Sequence, residues 1–287
     1  MKLNDLSLQT EFGTYRQTFF DGFDSPILDR TKWIPYYLPQ WSSRVKTQPR
    51  YRIENSCLIL EIQPDQEPWS PEFNGNIRVS SLQTGLYSGA LNSAEGQHRF
   101  SKDLRVREPQ PTERTYTPLY GYFELKAKCN ILPNNVAALW MIGFEDKPEH
   151  SAEICIFELK GQNIRAKSAV IGYGVHPFGD PSITDEFYEE EFPVDVTQFN
   201  TYAAEWTEHE VHFYINGKKI RTIEQSPQYP MQFMLNIYDL SDIPAQNQTM
   251  EFSIDSITGY ERKQEVTHEP SPHVQDRRSH SHCSAIQ

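Results

Sequence analysis

Residues 120–128, YGYFELKAK, alternate between apolar and charged side chains. In an extended chain Phe123, Leu125 and Ala127 would fall on one face, and the charged residues between them on the other. This period of two is typical of a β-strand that buries one face and exposes the other. The segment therefore predicts a β-strand with one face in the core and the other in solvent.

Comparable segments occur along most of the chain. They are short, rich in β-branched or aromatic residues and separated by Pro, Gly, Asn or Ser, at residues 57–62, 76–82, 136–144, 201–206, 210–215 and 231–238. Asn216 and Gly217 stand between two alternating segments and predict a two-residue hairpin with a type I′ turn. No long helical pattern is present, so we expect an all-β sandwich or barrel, and the length favours a large sandwich of two sheets.

The composition changes near the end of the chain. After Tyr260 the apolar periodicity stops, which predicts one domain over residues 1–262 and a disordered polar tail over residues 263–287. Within the domain the long loops at residues 69–73, 93–117 and 179–193 are expected to shape a site, because loops on a rigid scaffold often carry function.

The charge of the chain limits its partners. The 287 residues carry 27 basic and 39 acidic side chains, a net charge of −12. Nucleic acids and anionic membranes bind basic patches, so neither is an expected partner.

The start of the chain and its cysteines indicate where the protein works. The first residues, MKLNDLSLQTEFG, contain no apolar segment of signal-peptide length. The four cysteines, Cys57, Cys129, Cys155 and Cys283, show no paired spacing. We therefore expect free thiols and a cytoplasmic location, with secretion by another route as the alternative.

Two glutamates bracket an apolar run in residues 151–161, SAEICIFELKG. In a regular strand Glu153 and Glu158, five residues apart, would point to opposite faces. A β-bulge near residues 156–157 would bring Glu158 back to the face of Glu153. A retaining glycosidase uses two carboxyl groups on one face. One attacks the sugar, and the other acts as general acid and base. The alternative is a plain strand on which Glu158 faces solvent.

At this stretch the chain resembles family-16 glycoside hydrolases, the laminarinase and lichenase group, whose motif is Glu-x-Asp-x-x-Glu. The resemblance runs from about residue 20 to about residue 260 and includes FFDGFDSPILDRTKW, YGYFELKAK with ALWMIG, FNTYAAEWTEHEVHFYINGKKIRT, PMQFMLNIY and FSIDSITGY. It implies a concanavalin A-like β-jelly roll, a sandwich of two antiparallel sheets with a glycan cleft on the concave face.

The resemblance also implies roles for the motif residues. Glu153 matches the nucleophile and Glu158 the general acid/base, while Cys155 stands where the family has an Asp that hydrogen-bonds the nucleophile and tunes its charge. A buried thiol is a weak donor, and the loss of a neighbouring negative charge should ease the ionisation of Glu153. Cys155 itself is not expected to be a nucleophile, because its strand neighbours are apolar and no histidine is adjacent in sequence. A Trp-Pro pair that often precedes the nucleophile in the family is missing from GFEDKPEHSAE.

Further site residues are implied by the same match. The candidate sugar-binding residues are Trp140, His176, Glu205, Asn236, Tyr238 and Arg78. A core tryptophan, a structural histidine and an ion-paired arginine are the alternatives for three of them. The acidic residues 185–191 are expected to form a solvated loop. No cofactor is expected to be required, but a structural Ca²⁺ is implied, held by Asp255 and the backbone carbonyls of Gly22 and Ser56.

Together these features predict a monomeric retaining endo-β-glucanase that acts on a polysaccharide or oligosaccharide with β-1,3 or mixed linkages. The replacement of the motif Asp by Cys155 favours one alternative, a glycan-binding protein without catalytic activity. A transglycosylase that uses the same two glutamates is the other.

Overall fold

The computed structural model describes residues 6–243 and 248–263, which contain seventeen β-strands. The strands are β1 (Ser7–Thr10), β2 (Gly13–Asp21), β3 (Arg50–Ile53), β4 (Leu58–Ile62), β5 (Arg78–Gln83), β6 (Gly85–Leu86), β7 (Glu113–Arg114), β8 (Gly121–Asn130), β9 (Asn135–Gly143), β10 (Glu153–Lys160), β11 (Ala169–His176), β12 (Glu186–Phe192), β13 (Asn200–Trp206), β14 (Val211–Ile215), β15 (Lys218–Ile223), β16 (Met231–Asp239) and β17 (Met250–Arg262). One short α-helix, α1 (Pro71–Asn74), and two 3₁₀ turns, Pro39–Trp41 and Gly161–Asn163, complete the elements.

Two large antiparallel sheets form a jelly-roll sandwich. The nine-stranded sheet has the order β1-β2-β17-β8-β13-β14-β15, and β3 and β4 join it through β17. The six-stranded sheet has the order β12-β11-β10-β9-β16-β5 and carries a cleft on its concave outer face. The predicted fold class is confirmed.

The core lies between the two sheets and is rich in aromatic rings. Phe157 of the six-stranded sheet packs against Tyr202 of the nine-stranded sheet, with ring centroids 4.2 Å apart. Phe123 of β8 meets Phe233 of β16 edge to face at 5.4 Å. The inward residues of β8 are those that its alternation predicted, so local periodicity alone identified this buried face.

Two local predictions have different outcomes. Asn216 and Gly217 connect β14 to β15 with φ of 50° and 73°, the left-handed pair that a type I′ turn requires, so this hairpin is confirmed. The predicted solvated loop at residues 185–191 is largely wrong, because residues from Glu186 onward form β12, the edge strand that pairs with β11.

Glu205 is a structural residue and does not reach the cleft. It is fully buried in β13 of the nine-stranded sheet, away from the concave face. Its carboxylate accepts hydrogen bonds from Thr10 Oγ1 at 2.6 Å and from Tyr214 Oη at 2.8 Å. The sugar-binding role predicted for Glu205 is therefore wrong, since a strand pattern does not show which of two sheets a strand joins.

Arg78 is the other predicted sugar-binding residue that is structural. Its guanidinium lies 3.2 Å from the carboxylate of Asp239, and the two side chains are 5% and 2% exposed. It also donates hydrogen bonds to the backbone carbonyls of Gln66 and Ser241. These three partners occupy the guanidinium of Arg78, which is buried and does not bind a sugar. The ion-pair alternative is therefore correct.

Several predictions concern the ends and thiols of the chain. Cys57, Cys129 and Cys155 are free, as predicted, whereas Cys283 lies outside the described residues. The predicted tail at residues 263–287 also lies outside them, apart from Lys263. No helix within the described ranges is long and apolar enough to cross a membrane.

Replacing Arg78 with Leu should destabilise the protein by about 3–5 kcal/mol, because Asp239 would be left as a buried charge without its partner. Urea unfolding measures this loss, and Asp239→Asn added to Arg78→Leu should recover part of it. Lys219→Met, which breaks the exposed ion pair with Glu11, is the matched control and should leave the urea midpoint almost unchanged. Equal losses for the two single variants would contradict the buried-pair interpretation.

Candidate active site

A cavity of about 290 Å³ opens on the concave face of the six-stranded sheet. Both motif glutamates and Cys155 line it, together with the predicted residues Trp140, His176 and Tyr238. The remaining lining residues are Tyr37, Asn74, Ile77, His98, Val136, Ala138 and Leu240. Most of the site predicted from sequence is therefore brought together in one place.

A bulge in β10 places the two glutamates on the same face. Cys155 pairs with a residue of β9, but the next paired position is taken by Phe157, so Ile156 is an extra residue. Ile156 and Phe157 both enter the core, and the alternation resumes with Glu158 turned toward the cavity that Glu153 lines. The predicted bulge is confirmed.

A glycine of the neighbouring strand β11 lies beside this irregular segment. Gly174 of β11 lies opposite Cys155 and adopts φ of 149°. A Cβ atom there would lie 2.3 Å from the backbone oxygen of Glu186. Only glycine allows β11 to pass this close to its edge neighbour beside the bulge.

Glu153 occupies an environment that disfavours its charge. Its side chain is only 15% exposed, and this burial, with the negative charges of Glu158 and Asp185, raises the pKa of Glu153 to about 8. The sequence predicted easier ionisation because an Asp is missing beside Glu153. Burial outweighs that effect, since removal from water is the largest contribution to the shift.

Cys155 is a buried, neutral thiol at the floor of the cavity. Burial, and next the negative charges of Glu158 and Glu153, raise the pKa of the Cys155 thiol well above its usual value. The thiolate is the nucleophilic form of cysteine, so this environment agrees with the expectation that Cys155 does not attack the substrate.

Asn236 fixes the Trp140 ring through a hydrogen bond. The indole Nε1 of Trp140 donates a 2.6 Å hydrogen bond to Oδ1 of Asn236, and the Asn236 amide donates to Ser81 Oγ at 2.6 Å. Asn236 is fully buried and is absent from the residues that line the cavity. Its predicted direct contact with sugar is therefore wrong, and its place in the structure is to hold the Trp140 ring.

His176 and Tyr238 lie on opposite sides of the cavity. His176 pairs with Glu153 across β10 and β11, and its Nδ1 lies 2.6 Å from Asp185 Oδ1. Tyr238 of β16 lies with its hydroxyl 3.5 Å from that of Tyr37. Both residues can present polar groups to a sugar, so their predicted role remains open to test.

The sequence did not identify His98, which comes from the long loop at residues 93–117. Its Nδ1 lies 3.4 Å from Glu153 Oε1, and its ring stacks on Phe178 with centroids 4.6 Å apart. The backbone N–H of His98 donates a 2.6 Å hydrogen bond to Glu145, a second buried carboxyl whose pKa burial raises to about 8. Only the length of the loop suggested that it shapes a site.

The carboxylate implied for a structural Ca²⁺, that of Asp255, is ion-paired in this structure. Its Oδ2 lies 3.2 Å from the ammonium of Lys126, which neutralises the carboxylate. Asp255 and Lys128 also line one surface groove. Gly22 directly follows β2, and Ser56 lies in the turn between β3 and β4. The calcium site stays a prediction.

Comparisons with known proteins agree with this architecture. The family described as glycosyl hydrolases family 16 matches residues 110–258, more than half of the chain. The GlcNAcα1-4Gal releasing endo-β-galactosidase from Clostridium perfringens is 30% identical with a TM-score of 0.75, and the match covers 89% of this chain. The match covers only 64% of the endo-β-galactosidase, so this chain spans less than two thirds of that protein.

More distant structures share the fold. The catalytic domain of an endo-1,3-β-glucanase (laminarinase) from Thermotoga petrophila RKU-1 is 18% identical, with a TM-score of 0.61 over 87% of this chain and 99% of that one. The laminarinase from Flavobacterium sp. UMI-01 is 16% identical, with a TM-score of 0.56 over 86% of this chain and 100% of that one. A comparison with curated protein sequences found no match.

Replacing Glu153 with Gln should stabilise the protein increasingly as the pH rises. Between the ordinary pKa of 4.5 and the folded-state pKa of about 8, the folded protein keeps a proton that the unfolded chain has lost, so stability falls with pH in this window. Glu153→Gln removes this loss, and its advantage at pH 9 over pH 5 should be on the order of a few kcal/mol.

Urea unfolding at pH 5, 7 and 9 measures this difference. The exposed Glu224→Gln is the control and should change the free energy of unfolding by less than about 0.5 kcal/mol at each pH. A constant difference between Glu153→Gln and the unmodified protein would show that Glu153 ionises in the folded protein as it does in water.

Proposed function

Because the chain belongs to glycosyl hydrolases family 16, we propose that it is a retaining endo-β-glycosidase in which Glu153 and Glu158 perform the reaction. The observation that carries this proposal is the bulge at Ile156, which brings both carboxyl groups into one cavity. Two carboxyls that share a cleft face and differ in surroundings are what a double-displacement mechanism requires.

In the first step a carboxylate oxygen of Glu153 attacks the anomeric carbon of the bound sugar. The glycosidic C–O bond breaks, and Glu158 gives its proton to the leaving oxygen. In the second step Glu158 takes a proton from water, the water oxygen attacks the anomeric carbon, and the ester to Glu153 breaks. The product keeps the β configuration because the carbon is inverted twice.

Burial of Glu153 has two opposite effects on this role. A carboxylate removed from water is disfavoured, and attack on the sugar converts it into a neutral ester. The charge that the cavity disfavours therefore disappears in the covalent intermediate. The attacking form must first be ionised, so activity should decline as the pH falls below the pKa of Glu153.

Recognition of the sugar is assigned to the walls of the cavity. Trp140, whose indole N–H is already bonded to Asn236, can offer its ring to the C–H face of a pyranose. Phe178 does not line the cavity, but it is 43% exposed beside His98 and is suited to supply a second aromatic surface in place of the missing Trp-Pro pair. His176 and Tyr238 provide polar groups for sugar hydroxyls.

For the substrate we place β-galactosides ahead of the β-1,3 and mixed-linkage glucans that the sequence predicted. The endo-β-galactosidase is 30% identical to this chain, whereas the laminarinases are 16–18% identical and support the fold alone. The proposed reaction is cleavage of an internal β-galactosidic bond in a glycan that carries GlcNAcα1-4Gal. The match covers only 64% of the endo-β-galactosidase. The substrate proposed for this chain therefore rests on the likeness of the matched part.

Incubation with a glycan that carries GlcNAcα1-4Gal in β-linkage should release the disaccharide, and proton NMR should show the β-anomer as the first product. Laminari-oligosaccharides and lichenan should give no new reducing ends. Glu158→Gln should lower kcat by about 10²–10⁴-fold through loss of the general acid, and Glu153→Gln should abolish cleavage. An α-anomer as first product, or full activity in Glu153→Gln, would contradict the mechanism.

A binding protein without catalysis is the second candidate, and the neutral thiol of Cys155 favours it. That protein would show a glycan-induced rise in melting temperature with no new reducing ends. Cys155→Asp separates the two cases, because a carboxyl at this position would restore a hydrogen-bonding group beside Glu153. Cleavage that appears only in Cys155→Asp would establish the binding protein.

A further inference from the structure

The Glu153 carboxylate needs a hydrogen-bond donor that its own strand does not provide. Cys155, its neighbour on the cavity side of β10, is a weak thiol donor. Within the described part of the chain, His98 is the only basic side chain within 4 Å of the Glu153 carboxylate, with Nδ1 at 3.4 Å from Oε1. Nδ1 of His98 is itself buried and has no hydrogen-bond partner. A buried ring nitrogen without a hydrogen-bond partner therefore faces the Glu153 carboxyl group.

His98 is held in this position by contacts on three sides. Its backbone N–H donates to Glu145, its ring stacks on Phe178 with an interplanar angle of 19°, and its edge meets Trp140 with centroids 5.3 Å apart. His98, Glu145 and Phe178 have φ of 50°, 57° and 47°, a left-handed conformation that residues other than glycine rarely adopt. Strained residues persist where the surroundings enforce them, and such residues cluster at functional sites.

We propose that His98 is a positioning residue that donates its Nδ1–H to the Glu153 carboxylate and so favours the ionised, attacking form over the protonated one. This inference rests on the proposed function. The imidazole is neutral in this role, since burial lowers the pKa of His98 to about 4. A neutral ring has one N–H, so the proton must reside on Nδ1. A small rotation of the ring would shorten the 3.4 Å contact to a hydrogen bond.

Other groups also act on the ionisation of Glu153. The acidic ones are Glu145, Glu158 and Asp185. The remaining titratable groups that face it are Cys155, His176, Tyr37 and Tyr238. The acids disfavour its charge, and the weak thiol of Cys155 does little to favour it. Among the other groups that the structure describes, His98 is the one whose ring nitrogen lies within 4 Å of a Glu153 carboxyl oxygen.

Two nearly isosteric variants separate donation from packing. His98→Asn keeps an N–H group near the position of Nδ1, and Asn tolerates left-handed φ. His98→Leu keeps a similar shape without a donor, and Leu38 in this chain already adopts φ of 46°. The Glu153 carboxyl can be titrated directly by ¹³C NMR of glutamate-labelled protein, with Glu153→Gln to assign its signal.

The midpoint of Glu153 should rise by roughly one pH unit or more in His98→Leu and stay near that of the unmodified protein in His98→Asn. Correspondingly, kcat/KM of His98→Leu should fall roughly tenfold at pH 6 and less than about threefold at pH 9. A merely structural role for His98 would not produce this dependence on pH. An unchanged midpoint in His98→Leu would overturn the inference.

The unmodified protein offers a test that does not depend on the folding of any variant. The ¹⁵N chemical shifts of the His98 ring show which nitrogen carries the proton, and protonation on Nε2 alone would overturn the inference. Failure of the proposed function looks different: Glu153→Gln would keep its activity whatever the state of His98. Loss of activity in Glu153→Gln with an unchanged titration in His98→Leu would reject only the role of His98.

Discussion

The alternation of side chains along a β-strand is the constraint on which the candidate site depends. Two residues five apart cannot share a face of a regular strand, and the extra residue Ile156 removes this restriction in β10. The bulge is held from the core side, where Phe157 packs on Tyr202 and Phe252. The contacts between the two sheets therefore determine where Glu158 points on the opposite face.

Burial of acidic groups is the second constraint. Glu153 and Glu145 both lie in surroundings that raise their pKa to about 8, so the cavity works against the charge that a nucleophile needs. Donors from outside the strand can offset this effect, and His98 is placed to do so. In the proposed mechanism the site combines a desolvated carboxylate with a loop residue that favours its ionised form.

The two sheets have different tasks. The six-stranded sheet presents the cavity residues, while the nine-stranded sheet covers its inner face and has buried polar groups that are satisfied internally, such as Glu205. Arg78 and Asp239 form a similar closed pair near the end of the cleft sheet. Such residues look functional in a sequence because they are polar and lie in apolar strands. Their hydrogen bonds show that they stabilise the scaffold.

The sequence by itself determined several strands and the hairpin at Asn216 and Gly217, because periodicity and turn chemistry are local properties. The jelly roll was implied by the resemblance to family-16 glycoside hydrolases. The sequence also supported the bulge in β10, since a sugar-cleaving pair required Glu153 and Glu158 on one face. Only the tertiary structure decided that Glu205 belongs to the other sheet and that His98 reaches Glu153. These contacts join residues far apart in the chain, and their existence depends on how the sheets and loops pack, which no local pattern records.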